Sequence, residues 1–229
     1  MIDPGDVHEF HVDSEVWRII PSRYPQIDLF ERVSSPAEFD LLYQIESLTN
    51  PRLRDDVGDM SRVAREDIVS GNGASWIMAA FTHPPQVGQG GRFNKDFGVY
   101  YCALNEDVAV AETLYHRKNF FQNSGIDNET ADMRVIRASV DKEFHDVRQF
   151  EDADIYHPDN YYHSQVLGER LRNMRSYGVL YKSVRKKGEC IAVMRPKAIT
   201  EARHIRFIRY HFQVGLEPRV EILDGGAGV

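Results

Sequence analysis

One carboxylate in the chain lies where an apolar stripe is expected, which makes it a candidate for chemistry. Residues 106–121 have the spacing of a helix, and Glu112 falls among the apolar residues Val108, Ala111 and Leu114. Removing an unpaired carboxylate from water costs several kcal/mol, so a glutamate in this place must be paired or functional. The spacing leaves both interpretations open: a functional carboxylate, or a buried salt bridge with an arginine.

A glycine-rich segment is the second candidate. The glycines of Gly88-Gln89-Gly90-Gly91 free the backbone from steric limits on φ, and its exposed N–H groups could cradle a phosphate. The segment lacks the Lys-Ser/Thr ending of a P-loop and no helix follows it directly, so a flexible surface turn is the alternative. Arg92 comes next, and because a guanidinium matches phosphate oxygens, it favours an anionic ligand.

Residues that ligate metals form no pattern of the known kinds. Nine histidines are present, but His8-Glu9-Phe10-His11 has the wrong spacing for a zinc protease helix, and the other seven are scattered. Cys102 and Cys190 are too far apart to indicate a zinc-ligand pair or a disulfide framework. We therefore expect no metal site, and the cysteine usage fits a cytoplasmic protein.

The elements that must position these residues are helices and strands without regular alternation. With 229 residues and 42% hydrophobic residues, the chain can form one sizeable core or two small ones. The absence of a strand-helix-strand repeat and of a dinucleotide fingerprint favours an α+β domain over a doubly wound parallel sheet. Ser35 is the expected N-cap of the first helix. Strands are predicted at residues 16–20, 99–104, 133–140, 179–181, 190–194 and 205–212, and helices at 36–50, 59–68, 106–121 and 161–177.

Charge is distributed unevenly along the chain. The formal net charge is −7, yet residues 170–219 carry 13 lysines and arginines against 3 acidic residues. The negative total argues against broad nucleic-acid binding, and the basic segment is either a solvated face or a surface for an anionic ligand or an acidic partner. No stretch approaches the ~18 apolar residues of a membrane span, and the first residues lack the features of a signal peptide. We expect a soluble cytoplasmic protein without a membrane partner.

Six short segments, taken in order, are similar to one protein family. They are Trp17-Arg18-Ile19, Gly91-Arg92-Phe93-Asn94, Val99-Tyr100-Tyr101-Cys102-Ala103, Ala111-Glu112, Ser164-Gln165-Val166-Leu167-Gly168 and Tyr181-Lys182-Ser183-Val184-Arg185. Together they resemble the RES-domain proteins, the toxin halves of bacterial RES–Xre toxin–antitoxin pairs. The resemblance runs from about residue 17 to residue 196. It predicts a single domain over residues 1–229, with an N-terminal extension and a C-terminal strand segment.

The resemblance implies a single mixed α+β domain similar to the ADP-ribosyltransferase fold, and an attack on NAD that depletes it and arrests growth. The family is named after an arginine, a glutamate and a serine. Tyr101, by spacing alone an ordinary core aromatic, matches an active-site tyrosine of the family, with Tyr100 as the alternative. Ile19 stands where some relatives have an aromatic residue, so the resemblance does not carry over a stacking contact at this position. By position the three name-giving residues are Arg18 or Arg92, Glu112, and Ser164 or Ser183.

The chemistry of NAD cleavage uses these residue types. Breaking the nicotinamide–ribose bond leaves an oxocarbenium-like ribose, which a carboxylate such as Glu112 stabilises. Arginine forks neutralise the diphosphate, and an aromatic face holds the nicotinamide ring. NAD is then a substrate rather than a cofactor, and the acceptor is water, inorganic phosphate as co-substrate, or a protein side chain. The implied catalytic residues are Glu112, Arg18 and Tyr101, and the implied NAD-binding residues are Arg18, Arg92, Tyr101, Ser164 and Ser183.

Partners follow from the same resemblance. It implies an Xre-type antitoxin whose C-terminal segment enters the active-site cleft, where Arg18 and Arg92 would anchor a carboxylate. Nucleic acid would be reached only through that antitoxin, and a homodimer is compatible with the sequence. Two other functions stay open: an ADP-ribosyltransferase that modifies a host protein, and a non-catalytic binding protein in which the basic segment contacts an acidic partner and Glu112 is structural.

Overall fold

Seven strands form one mixed sheet in the part of the chain that the computed structural model describes, which is residues 2–24, 28–33, 36–47, 57–85, 90–150 and 154–223. The sheet order is β1-β2-β5-β4-β3-β6-β7, and β1 also pairs with β3. β3 and β4 are parallel, and every other pair is antiparallel. The strands are β1 (Glu9–Pro21), β2 (Tyr100–Ala103), β3 (Asn128–Asp146), β4 (Gly178–Lys182), β5 (Glu189–Val193), β6 (Ile199–Gln213) and β7 (Arg219–Leu223).

Five α-helices accompany this sheet within the described residues. They are α1 (Asp28–Arg32), α2 (Pro36–Ser47), α3 (Ala74–Thr82), α4 (Glu106–Asn123) and α5 (Tyr162–Asn173). A single sheet with one parallel pair confirms the predicted α+β class. Of the helices described, none has the length and apolar character needed to cross a membrane.

The prediction of one α-helix at residues 59–68 is wrong. The segment forms two short 3-10 helices, Met60–Arg62 and Arg65–Asp67. The Asp59 carboxylate accepts hydrogen bonds from the Ser61 backbone N–H (3.1 Å) and hydroxyl (2.6 Å), and such a local bond favours a turn over a continued helix. Ser35, the expected cap of α2, lies outside the described residues.

β1 and β3 are longer than their apolar runs predicted. They pair from Glu9 opposite His145 to Pro21 opposite Met133. The added residues are largely polar, with Asp13 opposite Asp141. Side chains alternate between the two faces of a strand, so a polar residue at every second position does not end the strand. The apolar runs therefore predicted only the buried centre of each strand.

The alternation of side chains gives the sheet two buried faces. The first face includes Val16, Tyr100 and Leu180 and packs with residues of α1 and α3. The second face includes Ile19 and Val179 and packs under α4 and α5. Neighbouring residues of one strand therefore take part in different cores, which determines where each candidate side chain can act.

The basic C-terminal segment pairs with acidic residues from earlier in the chain. Arg195 and Lys197 both contact the buried carboxylate of Asp67, at 2.9 and 3.2 Å. Part of the positive charge is thus neutralised inside the fold rather than offered to a partner. Further pairs of this kind are Arg175 with Glu66, Lys186 with Asp107, Arg206 with Glu106 and Arg209 with Asp132.

Candidate functional site

Glu112 and Ser183 meet beside the second face of the sheet. Glu112 lies on α4, and Ser183 follows β4 in the turn that leads to β5. The Ser183 hydroxyl donates to Glu112 Oε1 at 2.5 Å. The same hydroxyl accepts the backbone N–H groups of Arg185 (3.1 Å) and Lys186 (3.2 Å). Because a hydroxyl has one proton and two lone pairs, these three bonds direct its proton at the carboxylate.

The structure therefore gives Glu112 a neutral hydroxyl partner. In the described part of the chain, no lysine or arginine forms a salt bridge with Glu112. Its side chain is only partly buried, so a ligand can reach the carboxylate. Such a group can stabilise positive charge that develops on a substrate beside it.

Arg92 lies on the same side and is 7% exposed. Its Nη1 donates to the carbonyls of Ile155 (2.7 Å) and His157 (3.0 Å), and its guanidinium lies 4.6 Å from the centre of the Tyr161 ring. The positive charge of Arg92 acts on the Tyr101 hydroxyl as well. Arg92 thus connects the loop before β2 with the loop before α5.

The pKa of His116, four residues after Glu112, depends on the charges around the site. Burial lowers the pKa of His116, Glu112 acts to raise it, and Arg185 and Arg92 act to lower it further. His116 is thus within the electrostatic influence of the carboxylate and of both guanidiniums. Arg185 adjoins Glu112 directly, because its backbone N–H and the Glu112 carboxylate both bond to the Ser183 hydroxyl.

Tyr101 connects β2 with the loop that carries Arg92. Its hydroxyl donates to Asn94 Oδ1 (2.7 Å) and accepts the Phe93 backbone N–H (2.8 Å), and burial raises its pKa far above the usual value. A Cβ added at Gly91 would come within 2.6 Å of the Tyr101 ring, so this close approach requires glycine. Gly88 and Gln89, the first half of the predicted phosphate cradle, lie outside the described residues.

Arg18 occupies the other face of the sheet. β1 and β2 share one paired position, Trp17 opposite Ala103, and beside it Arg18 Nη1 donates to the Tyr101 carbonyl at 3.0 Å. The guanidinium lies 4.5 Å from the centre of the Tyr100 ring, and burial lowers its pKa. The structure thus separates Arg18 from Glu112 by the thickness of the sheet.

Ser164 and Ser183, the two candidates for the family serine, have different surroundings. Ser164 is fully buried in the first turn of α5, where its hydroxyl donates to the Tyr161 carbonyl at 3.0 Å. Nearby, a Cβ at Gly168 would collide with the Phe93 carbonyl, so α5 packs closely on the Arg92 loop. Of the two serines, Ser183 is the one in contact with Glu112.

Comparison with known proteins now assigns the family. The model of the RES domain matches residues 66–213, nearly two thirds of the chain. The chain belongs to the RES-domain family. The suspected resemblance is thereby confirmed, and the matched segment of this RES-domain protein contains Arg92, Tyr101, Glu112 and Ser183, whereas Arg18 precedes it.

Two proteins are similar to this RES-domain protein over most of its length. The uncharacterized protein y4oC of Sinorhizobium fredii is 25% identical, with 95% of the chain and 96% of y4oC covered. A chain from the crystal structure of the M. tuberculosis MbcT–MbcA toxin–antitoxin complex is 11% identical at a TM-score of 0.42, with 86% of each chain covered.

Sequence reasoning missed two neighbours of Glu112 in this RES-domain protein. Arg185 ended the last family-like segment but received no role, and His116 was one of the scattered histidines to which no role was given. Two signals were available in the sequence. Arg185 follows Ser183 by two residues. His116 follows Glu112 by four residues, and this spacing places His116 and Glu112 on one face of a helix. No group of three His, Cys, Asp or Glu side chains that could hold a metal ion occurs among the described residues.

Proposed function

We propose that this RES-domain protein is the toxin of a toxin–antitoxin pair and that it cleaves the nicotinamide–ribose bond of NAD. The observation that carries the proposal is the Glu112 carboxylate, oriented by Ser183 and without a salt-bridge partner in the described chain. Arg92 and Arg185 supply positive charge nearby. A lone oriented carboxylate beside two guanidiniums suits a substrate that is anionic along its diphosphate and becomes cationic at its ribose.

In the proposed reaction the C1″–N bond breaks and its electron pair leaves with nicotinamide. Glu112 stabilises the resulting oxocarbenium-like ribose. An acceptor oxygen then forms a bond to C1″. Water or a hydroxyl group loses its proton to solvent in this step, whereas an unprotonated phosphate oxygen has no proton to lose. Glu112 is the catalytic residue in this scheme, and Ser183 is a positioning residue because it acts through Glu112.

The remaining candidate residues bind or position the substrate. Arg92 neutralises the diphosphate, and the ring of Tyr101 provides a face for nicotinamide. Arg18 acts through β2, since it holds the carbonyl of Tyr101 from the opposite face. Ser164 fixes the start of α5 against the Arg92 loop. None of these roles requires a metal ion.

The acceptor distinguishes three activities. Water gives hydrolysis, inorganic phosphate gives phosphorolysis, and a protein side chain gives ADP-ribosylation. We favour phosphate as the acceptor, and the comparison of products with and without phosphate decides between the three. The purified protein is incubated with NAD, and free nicotinamide is measured. The mass of the product that carries ADP-ribose is then determined in the presence and in the absence of phosphate. Folded protein that releases no nicotinamide would favour a non-catalytic binding protein, and ADP-ribose attached to protein would favour the transferase.

The proposed partner is a protein antitoxin that blocks the site. A segment that carries a carboxylate would occupy the guanidiniums intended for diphosphate, so antitoxin and NAD should compete. An antitoxin that lacks its last residues should still bind elsewhere on the surface but should fail to protect NAD. Equal inhibition by the truncated and full-length antitoxins would exclude this mode of blocking.

A further inference from the structure

One loop contacts both guanidiniums of the candidate site. We call it the pre-α5 loop, residues 154–161. Two of its carbonyls, from Ile155 and His157, accept bonds from Arg92. A third, from Pro158, accepts a bond from Arg185 Nη2. Both guanidiniums therefore already donate to this loop.

Arg185 has the surroundings of an anion-binding residue. Its side chain is 11% exposed and lies on the Tyr115 ring, 3.3 Å from the ring centre. Its Nε is buried and has no hydrogen-bond partner among the described residues. A buried charged donor without a partner is unfavourable, so an additional oxygen atom beside it would be stabilising.

An acidic side chain already uses this position. The Asp159 carboxylate lies 3.6 Å from Arg185 Nη2 and accepts a hydrogen bond from the Tyr115 hydroxyl. These two contacts hold the pKa of Asp159 below its usual value. Asp159 itself is 65% exposed, so it can leave without disrupting a core.

The position adjoins the catalytic carboxylate. The Arg185 backbone N–H donates to the Ser183 hydroxyl, which in turn donates to Glu112. Tyr115 follows Glu112 by three residues on α4, a rise of about 4.5 Å along the helix. A group bound between Arg185 and Tyr115 would therefore lie about one helical turn from Glu112.

We propose that Arg185 and Tyr115 form an oxyanion subsite for a phosphate group of the substrate, and that Asp159 occupies this subsite in the free protein. A guanidinium and a phenol hydroxyl both donate to oxygen, and a diphosphate carries more charge and more acceptor oxygens than one carboxylate. The diphosphate then replaces Asp159 and also satisfies Arg185 Nε. The identity of the diphosphate as that of NAD rests on the proposed function, whereas the subsite itself does not.

The test uses inorganic pyrophosphate as the probe and isothermal titration calorimetry on the full chain. Asp159→Asn should lower the Kd for pyrophosphate about 5-fold, because the competing carboxylate is gone. The control Asp154→Asn removes the same charge from the same loop away from Arg185 and should change Kd less than about 2-fold. Arg185→Gln should raise Kd about 10-fold or more, and the control Lys186→Gln less than about 2-fold.

Two further measurements separate the possible failures. Thermal melting of each variant verifies folding, and Arg185→Lys, which keeps the charge but not the fork, should bind pyrophosphate with an intermediate Kd. Unchanged binding in Asp159→Asn, or equal effects of Arg185→Gln and Lys186→Gln, would overturn the subsite even if the protein releases nicotinamide from NAD. The expected shifts in Kd without nicotinamide release would support the subsite and overturn the proposed function.

Discussion

Tyr100 and Tyr101 are adjacent in β2, and their surroundings differ completely. Tyr100 is fully buried on the first face under the Arg18 guanidinium, and its hydroxyl has no hydrogen-bond partner among the described residues. Tyr101 lies on the second face, and its hydroxyl bonds to Asn94 and Phe93. Buried polar atoms without a partner are found beside both faces, since Arg185 Nε also has none among the described residues. The two tyrosines differ because the alternation of side chains in β2 places them in different cores.

Arg18 and Arg92 show the same division. Each guanidinium lies over a tyrosine ring and donates to backbone carbonyls. Arg18 bonds to a strand inside the sheet, while Arg92 bonds to a loop beside the carboxylate. Residue type alone therefore does not assign a role to an arginine. The location of the carbonyl groups that accept its hydrogen bonds determines which part of the molecule it can affect.

The largest expected effect is on the second face, at Glu112. Glu112→Gln keeps the shape and the Ser183 contact but removes the charge, so nicotinamide release should fall about 100-fold or more. The melting temperature should stay within a few degrees. Asp107→Asn, an exposed position on the same helix, is the matched control and should keep its activity. A Glu112→Gln variant that melts far lower yet retains specific activity would assign the residue to structure instead.

The next effect is on the first face, at Arg18. Arg18→Leu leaves the Tyr101 carbonyl without its donor and removes the cation over Tyr100, which should lower the free energy of unfolding by about 2–3 kcal/mol. Denaturant unfolding of Arg18→Leu, compared with that of the exposed control Arg203→Leu, measures this loss of stability. Unchanged stability together with a raised KM for NAD would show instead that Arg18 binds substrate directly.

The two tyrosines permit a matched pair of substitutions. Tyr101→Phe breaks two hydrogen bonds and should cost about 1–2 kcal/mol of unfolding free energy. Tyr100→Phe removes a buried hydroxyl that has no partner, so it should be neutral or slightly stabilising. Both values come from urea unfolding. Equal losses in the two variants would contradict the contrast between the faces.

The smallest effect is a dependence of stability on pH. Burial lowers the pKa of His116, His145 and His204 in the folded protein. The unfolded chain therefore binds more protons below about pH 6.5, and stability should fall as the pH drops from there through the folded pKa values. Melting temperatures at pH 7.5 and 5.5 should differ by a few degrees. His145→Asn should narrow that difference, whereas the exposed control His11→Asn should not.

Much of the fold followed from local patterns, and the exceptions have physical causes. The apolar spacing predicted a helix at residues 106–121, and α4 spans Glu106–Asn123. β7 was missed, because Val220 and Ile222 are exposed and no buried run marks the strand. The predicted helix at residues 161–177 ends at Asn173 instead, and Arg175 nearby has a positive φ of 60° that interrupts helical geometry.

The candidate site residues were proposed from their types and from the family resemblance, and their contacts could not be predicted. The choice between Ser164 and Ser183 depends on a bond between residues 71 positions apart, which no local pattern reports. The face of Arg18 depends on the register of β1, which is set by its pairing with β3. Asp159 gave no signal, because its partners Tyr115 and Arg185 belong to different elements.

The Glu112–Ser183 bond has a consequence for protein synthesis. A ribosome adds about 5–20 residues per second, so the 71 residues between the two side chains take roughly 4–14 s to make. During that interval the nascent chain carries the carboxylate without the serine that orients it. Every fragment released before residue 183 lacks the assembled site, so under the proposed function interrupted translation yields a harmless product.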